Sequence, residues 1–241
     1  VREFEEAFAK MVGAKHAVFV NSGSSANLLA WFLPIAVDRE AVTKNGRAIV
    51  PAVAWPTSVM PAIQFGYQPV LCEVEEATWG MDPGNLRRLC ENYSPAIVLV
   101  TQVLGVPCQM DEILALRDDV GFLLIEDAGE ALLPHKGSEI TTYSLRAGST
   151  VSTIEGGMIC TDGADGANIL RMLRAHGWAT DCDEIARTRM REAAKVEPFR
   201  EKFTFYAPGF NARQTEIQAH LGLSQLARLD ESLSIRKRNH K

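Results

Sequence analysis

No stretch of this 241-residue chain reaches about eighteen consecutive apolar residues, so the sequence offers no membrane-spanning helix. It has no long basic run, and its formal net charge is −5, which argues against broad binding to nucleic acid or an anionic membrane. Its five cysteines (Cys72, Cys90, Cys108, Cys160 and Cys182) never fall in CxxC spacing. Such a set excludes a disulfide frame and a zinc ribbon, and reads as reduced, mostly buried thiols in a cytoplasmic protein. Nothing matches the GxxxxGK[ST] or GxGxxG loops of nucleotide binders. His16, His220 and His240 lack metal-ligand spacing, and no metal is expected. The opening VREFEEAFAKMVG reads as a helix and not as a secretory leader.

What is present is an ordinary globular composition, 46% hydrophobic and 23% charged. Short runs rich in Val and Ile alternate with helical patterns. The strands expected are 17–21, 47–52, 69–74, 96–102 and 121–127, with 141–145 and 157–161 following. Helices are expected at 24–33, 56–66, 85–93, 110–119, 166–176 and 183–195, and one long amphipathic helix over 214–233, carrying Ile217, Leu221, Leu226 and Leu229. Near-continuous apolar strands separated by helices predict a doubly wound, three-layer α/β/α domain with a mostly parallel sheet. No repeat or Gly/Ser linker divides it.

Four stretches carry chemistry. NSGSSAN (21–27) follows a strand and opens a helix, which makes either a phosphate cradle or a plain N-capped turn. IEDAGEA (125–131) puts Asp127 at the carboxyl end of a strand, where ligands of open sheets bind. An acid there can hold a protonated ring nitrogen, a metal or a ribose, or can cap the next element. AWPTS (54–58) places Trp55 just past a strand, to stack on a flat ring or to pack in the core. PGFNARQTEIQAHLG (208–222) sets Asn211 and Arg213 in a turn, facing an anion, a partner subunit or neither.

Taken in order with GYQPVLCEVE, STIEGGM and LRAHGW, these stretches resemble the DegT/StrS family of nucleotide-sugar aminotransferases, among the fold-type I pyridoxal-phosphate enzymes. NSGSSANLLA, VAWPT, STIEGGM and RAHGW are most similar to its keto-deoxysugar 3-dehydratase branch. The resemblance implies the large domain of that fold over residues 1–241, cut at both ends, with the smaller C-terminal domain missing. It implies pyridoxal 5'-phosphate or pyridoxamine 5'-phosphate as cofactor. Ser24, Ser25 and Ser144 would hold its phosphate, Trp55 would stack on its ring, and Asp127 would pair with the ring nitrogen. Glu130 would lie near the ring hydroxyl, and the turn Glu155, Gly156 and Gly157 would bring backbone to the site. Asn211 would reach the phosphate of a second subunit, so a homodimer is expected. His176 resembles a residue near the site, although a histidine at a helix end is commonly structural.

One catalytic position departs from the family. Ser149 stands where the aminotransferases place a lysine and the 3-dehydratases a histidine. A hydroxyl is a weak base near neutral pH and cannot hold the cofactor covalently. No histidine or lysine lies between Gly137 and Ser152, and His135 and Lys136 precede the strand. The connection 131–144 is also shorter than the family's. The expectation is therefore a homologue of enzymes acting on nucleotide-linked 4-keto-deoxysugars in polysaccharide (O-antigen) synthesis, with noncovalent cofactor and impaired proton transfer. The alternative is a non-catalytic relative serving as a binding or regulatory protein.

Overall fold

In the computed structural model, residues 1–38, 40, 46–132 and 134–240 are described. In chain order the elements are α1 (Arg2–Val12), β1 (His16–Val20), α2 (Gly23–Val37), β2 (Arg47–Pro51), α3 (Pro56–Gln64), β3 (Gln68–Cys72), α4 (Pro83–Tyr93), β4 (Ile97–Thr101), α5 (Met110–Val120) and β5 (Leu123–Asp127). Then come β6 (Ile140–Ser144), β7 (Gly157–Thr161), α6 (Ala164–Leu173), α7 (Glu184–Ala193), the one-turn α8 (Pro198–Glu201), α9 (Glu216–Leu226) and α10 (Leu229–Asn239).

The strands form one sheet in the order β1-β7-β6-β5-β4-β2-β3. β3, β2, β4, β5 and β6 run parallel, while β7 is antiparallel to both β6 and β1. Alternation along each strand feeds two cores. Val18, Val50, Leu99, Ile125 and Ile159 face α2, α3 and α6. On the other face, Phe19, Tyr143 and Met158 pack on α1 and α9, and Val98, Val100 and Leu124 pack on α4 and α5. This is the expected three-layer α/β/α sandwich with a mostly parallel sheet. All five cysteines are buried and unpaired. Among the described residues no helix is long and apolar enough to cross a membrane.

Two expectations need correction. The helix over 214–233 is two helices, because Arg228 leaves helical geometry at φ −116°, ψ 17°. Of the apolar residues expected to face the core, Leu226 and Leu229 pack on it partly buried, while Ile217 is 75% exposed; the buried positions of the face are Ala219 and Gly222. Any Cβ on Gly222 would meet the Phe4 ring at 2.4 Å, so α9 lies against α1 only because that side chain is absent.

The short 131–144 connection is anchored at several points, Leu133 lying outside the described residues. The His135 N–H donates to the Val12 carbonyl, Arg117 donates to the Gly137 carbonyl, and Ser138 donates to Glu126. β6 therefore still enters in parallel register, with Asp127 opposite Thr142.

Candidate functional site at the carboxyl rim of the sheet

Asp127 ends β5 and is 6% exposed. Asn27 Nδ2, from the second turn of α2, donates to its Oδ2 at 2.9 Å. Ser58 Oγ, from the first turn of α3, donates to the same oxygen at 2.5 Å. The Gly129 N–H donates to Oδ1 at 2.9 Å. Thr142 Oγ1 fixes the Asn27 amide by donating to its Oδ1 at 2.6 Å. A carboxylate has about four acceptor sites. Three are taken here, and one remains for a ligand N–H at the rim.

The helices that supply these donors are themselves locked. Ser22 caps α2 by accepting from the Ser25 N–H at 3.0 Å, and no acidic residue occupies the first turn. The buried Trp31 indole donates to the Ser58 carbonyl at 2.8 Å, tying α2 to α3. This helix end offers positive potential and amide donors to an anion.

Glycine brings three backbone segments together beside it. A Cβ on Gly23 would lie 2.9 Å from Ser144 Cβ, so the 21–27 turn abuts the end of β6. A Cβ on Gly157 would lie 2.2 Å from the Ser22 carbonyl oxygen. One on Gly129 would lie 2.9 Å from Asp127 Oδ1 and 3.7 Å from Ser144 Cβ. The 21–27 turn, Asp127, Ser144 and the Glu155–Gly157 turn thus meet at one place.

Ser149 lines an adjoining cavity of about 240 Å³ with Ser144, Gly129, Glu130 and Arg236. Its turn is closed by the Ser149 N–H donating to the Arg146 carbonyl, with Gly148 at φ 94°. Arg236 of α10 donates to the carbonyls of Gly148 and Ser149, both at 3.2 Å. Glu130 is exposed and accepts the Leu104 N–H at 2.7 Å. Among the described residues, no imidazole or amine lines this cavity.

Trp55 and Asn211 do not join that convergence. Trp55 is 69% exposed at the start of α3, one turn before Ser58 and outside the cavity. Asn211 is exposed, with its side chain turned to Arg213 Nε at 3.4 Å, although the next carbonyl, that of Ala212, accepts from the Asn21 N–H. His176 is also exposed, at φ 62°, and its Nε2 lies 3.5 Å from Arg213.

His135 lies on the opposite face of the sheet, bonded to Thr141 Oγ1 at 2.7 Å. Burial holds its imidazole below the usual range, and Asp162 and Glu139 oppose that shift. Glu126, next to Asp127 in sequence, points to the same far face. Burial raises its carboxyl, against donors from Gln102, Ser138 and Thr141.

Four site residues were not singled out in the sequence: Asn27, Ser58, Thr142 and Trp31. Asn27 and Ser58 lie inside the motifs quoted, but only their approach to Asp127 from 100 and 69 positions away gives them a role.

The chain is 30% identical over 99% of its length to the GDP-4-keto-6-deoxy-D-mannose 3-dehydratase of Yersinia pseudotuberculosis, of which the match covers 62%. It is 33% identical over 98% of its length to the GDP-perosamine synthase of Caulobacter vibrioides, of which the match covers 58%. Among solved structures, the E. coli GDP-4-keto-6-deoxy-D-mannose 3-dehydratase with bound hydrated PLP superposes with a TM-score of 0.85 at 30% identity, over 99% of this chain and 62% of that one. The chain therefore spans less than two thirds of the length of these relatives. The model of the DegT/DnrJ/EryC1/StrS aminotransferase family matches residues 1–241, and the chain belongs to that family.

Proposed function

We propose that this chain is the cofactor-binding large domain of a nucleotide-sugar enzyme, holding pyridoxal or pyridoxamine phosphate noncovalently and impaired in proton transfer at Ser149. The observation that carries this reading is the meeting of Asp127, Ser144 and the 21–27 turn at the rim. The residues fit the group. A glycine-built cradle at a helix N-terminus suits a phosphate, and Asp127 keeps one acceptor for a ring N–H. The exposed Trp55 ring is available for stacking.

In this reading Ser24, Ser25 and Ser144 hold the phosphate, and Asp127 holds the ring nitrogen in its protonated form. Bound there, the cofactor supplies an electron sink for a substrate carbanion. Asn27, Ser58 and the Gly129 N–H keep the Asp127 carboxylate from turning away. Glu130 stands at the cavity wall for the ring hydroxyl. Ser149 occupies the place from which a base would take the substrate proton, and its hydroxyl leaves that step slow. The substrate class is a nucleotide-linked 4-keto-deoxysugar of polysaccharide synthesis, as in the relatives. Asn211, exposed and turned from its own chain's cradle, serves a second copy in a homodimer. Sedimentation of a folded monomer at micromolar concentration would count against the dimer.

Substitution at Ser149 tests the reading. With pyridoxamine phosphate and a 4-keto sugar nucleotide, Ser149→His is expected to raise turnover by about 10²–10⁴-fold, the usual contribution of a positioned general base. Ser149→Lys is expected to give an adduct with pyridoxal phosphate that borohydride fixes at residue 149, found by peptide mass mapping. The natural chain should yield no such adduct. Fixation on a native lysine, or no cofactor binding by the natural chain, would refute the proposal. If cofactor binds but neither variant turns over substrate, the reading as a binding or regulatory protein replaces it; the bare hydroxyl at 149 is the feature that favours that alternative.

A further inference from the structure

Thr101 is the last residue of β4 and lies directly opposite Asp127 in the parallel β4–β5 register. Alternation puts it on the face of Leu99 and Ile125, toward α2 and α3, the same face that Asp127 presents to Asn27 and Ser58. It is 6% exposed, and its Oγ1 has no hydrogen-bond partner among the described residues. A buried hydroxyl without a partner is a net cost to the fold, and valine would fill the same shape without it. The neighbouring polar groups do not relieve it. Asp127, directly opposite, takes its hydrogen bonds from Asn27, Ser58 and Gly129 and none from Thr101.

The hydroxyl therefore has a use only when something else arrives at the rim. We propose that Thr101 is a further ligand-binding residue of this site, its hydroxyl hydrogen-bonding a polar substituent on the ring of the bound cofactor beside Asp127. This inference rests on the cofactor reading above and adds to it a residue that neither motif nor spacing brings out. Thr101 acts as a binding group and takes no part in moving the proton.

The test is equilibrium titration of the natural chain, Thr101→Val and Thr101→Ser with pyridoxal phosphate and pyridoxamine phosphate, followed by cofactor absorbance. Urea unfolding without cofactor runs alongside. Thr101→Val is expected to weaken both ligands about tenfold, about 1.4 kcal/mol, while unligated stability holds or rises. Thr101→Ser should bind like the natural chain. Unchanged affinity in Thr101→Val overturns the inference alone, and so does weaker binding matched by lost stability without cofactor, since the hydroxyl then serves the fold. Should Thr101→Val not fold, Thr101→Ala carries the same comparison. No binding by the natural chain overturns both this inference and the cofactor reading.

Discussion

Gly157 shows how little room the rim leaves. A methyl there would sit 2.2 Å from the Ser22 carbonyl oxygen and 2.7 Å from the Gly23 nitrogen, both backbone atoms that no rotamer change can move. Gly157→Ala must push the 21–27 turn away from β7. It is expected to cost about 1–3 kcal/mol of stability, the usual range for overpacking, read from urea unfolding. Its larger effect falls on the cradle: inorganic phosphate should protect the natural chain against unfolding and protect Gly157→Ala less. Equal protection of both would show that the turn does not bind the anion. The site was legible where a residue announces itself by its own position. Asp127 and the 21–27 turn lie at strand or helix ends, whereas Ser144 came only through the family resemblance. Ser58, Thr142 and Asn27 were not legible, because the bonds that give them a role span 69, 115 and 100 positions. Ser149 was legible only as a departure from the family, and its surroundings in the cavity were not.

Helix α1 and the end of α6 are joined by a buried ion cluster. Arg174 donates to Glu5 Oε1 at 2.6 Å, to the Phe19 carbonyl at 2.7 Å and to Asp181 at 3.1 Å. Glu5 accepts in turn from the Phe19 N–H at 2.9 Å, so edge strand β1 is fixed between the two helices. Glu5 and Arg174 are each 3% exposed. Removing one partner leaves the other charge in a dry site with a single remaining counter-ion, Arg171 at 3.7 Å for Glu5 or the half-exposed Asp181 at 3.1 Å for Arg174. Arg174→Met is therefore expected to cost about 3–5 kcal/mol, and Glu5→Leu combined with it to cost less than the two singly, by urea unfolding of all three variants. Additive losses would mean that the pair is not coupled. In the sequence, RAHGW counts toward the family resemblance, and Glu5 is one of several acids in an opening helix. Their pairing spans 169 positions and has no local sign. The strands were legible because each is a short apolar run, and Ile97–Thr101 is buried along its whole length. The break after α9 was not, because LARLD contains neither glycine nor proline. The α9 contact was legible in part: Leu226 and Leu229 pack on the core shared with α1, whereas the buried small residues Ala219 and Gly222 carry no weight in apolar periodicity.

The sheet divides the molecule into a face that carries the rim site and a face that carries a separate polar cluster, and adjacent residues of β5 serve one each. Asp127 turns to α2 and α3; Glu126 turns to Gln102, Ser138 and Thr141. Thr141 Oγ1 also meets His135 Nδ1 at 2.7 Å, so an acid and an imidazole share one hydroxyl in the interior. Burial shifts the two groups in opposite directions, Glu126 upward and His135 downward. The folded state thus binds fewer protons at His135 than the unfolded chain does once pH drops below about 6.5, and stability from this group falls as pH falls. At Glu126 the folded state binds more protons above about pH 4.3, and stability from this group falls as pH rises through the folded value. Between these limits the two contributions oppose each other and flatten the natural chain's profile. Replacing Glu126 by glutamine keeps acceptor and donor capacity but removes its titration, so the His135 loss stands alone. Glu126→Gln is then expected to lose stability more steeply than the natural chain from pH 6.5 toward 4.5, and His135→Gln less steeply. Urea midpoints across that window decide it: parallel profiles for all three chains would mean that the sheet's far face contributes nothing to the acid response, which would then belong to the exposed carboxylates.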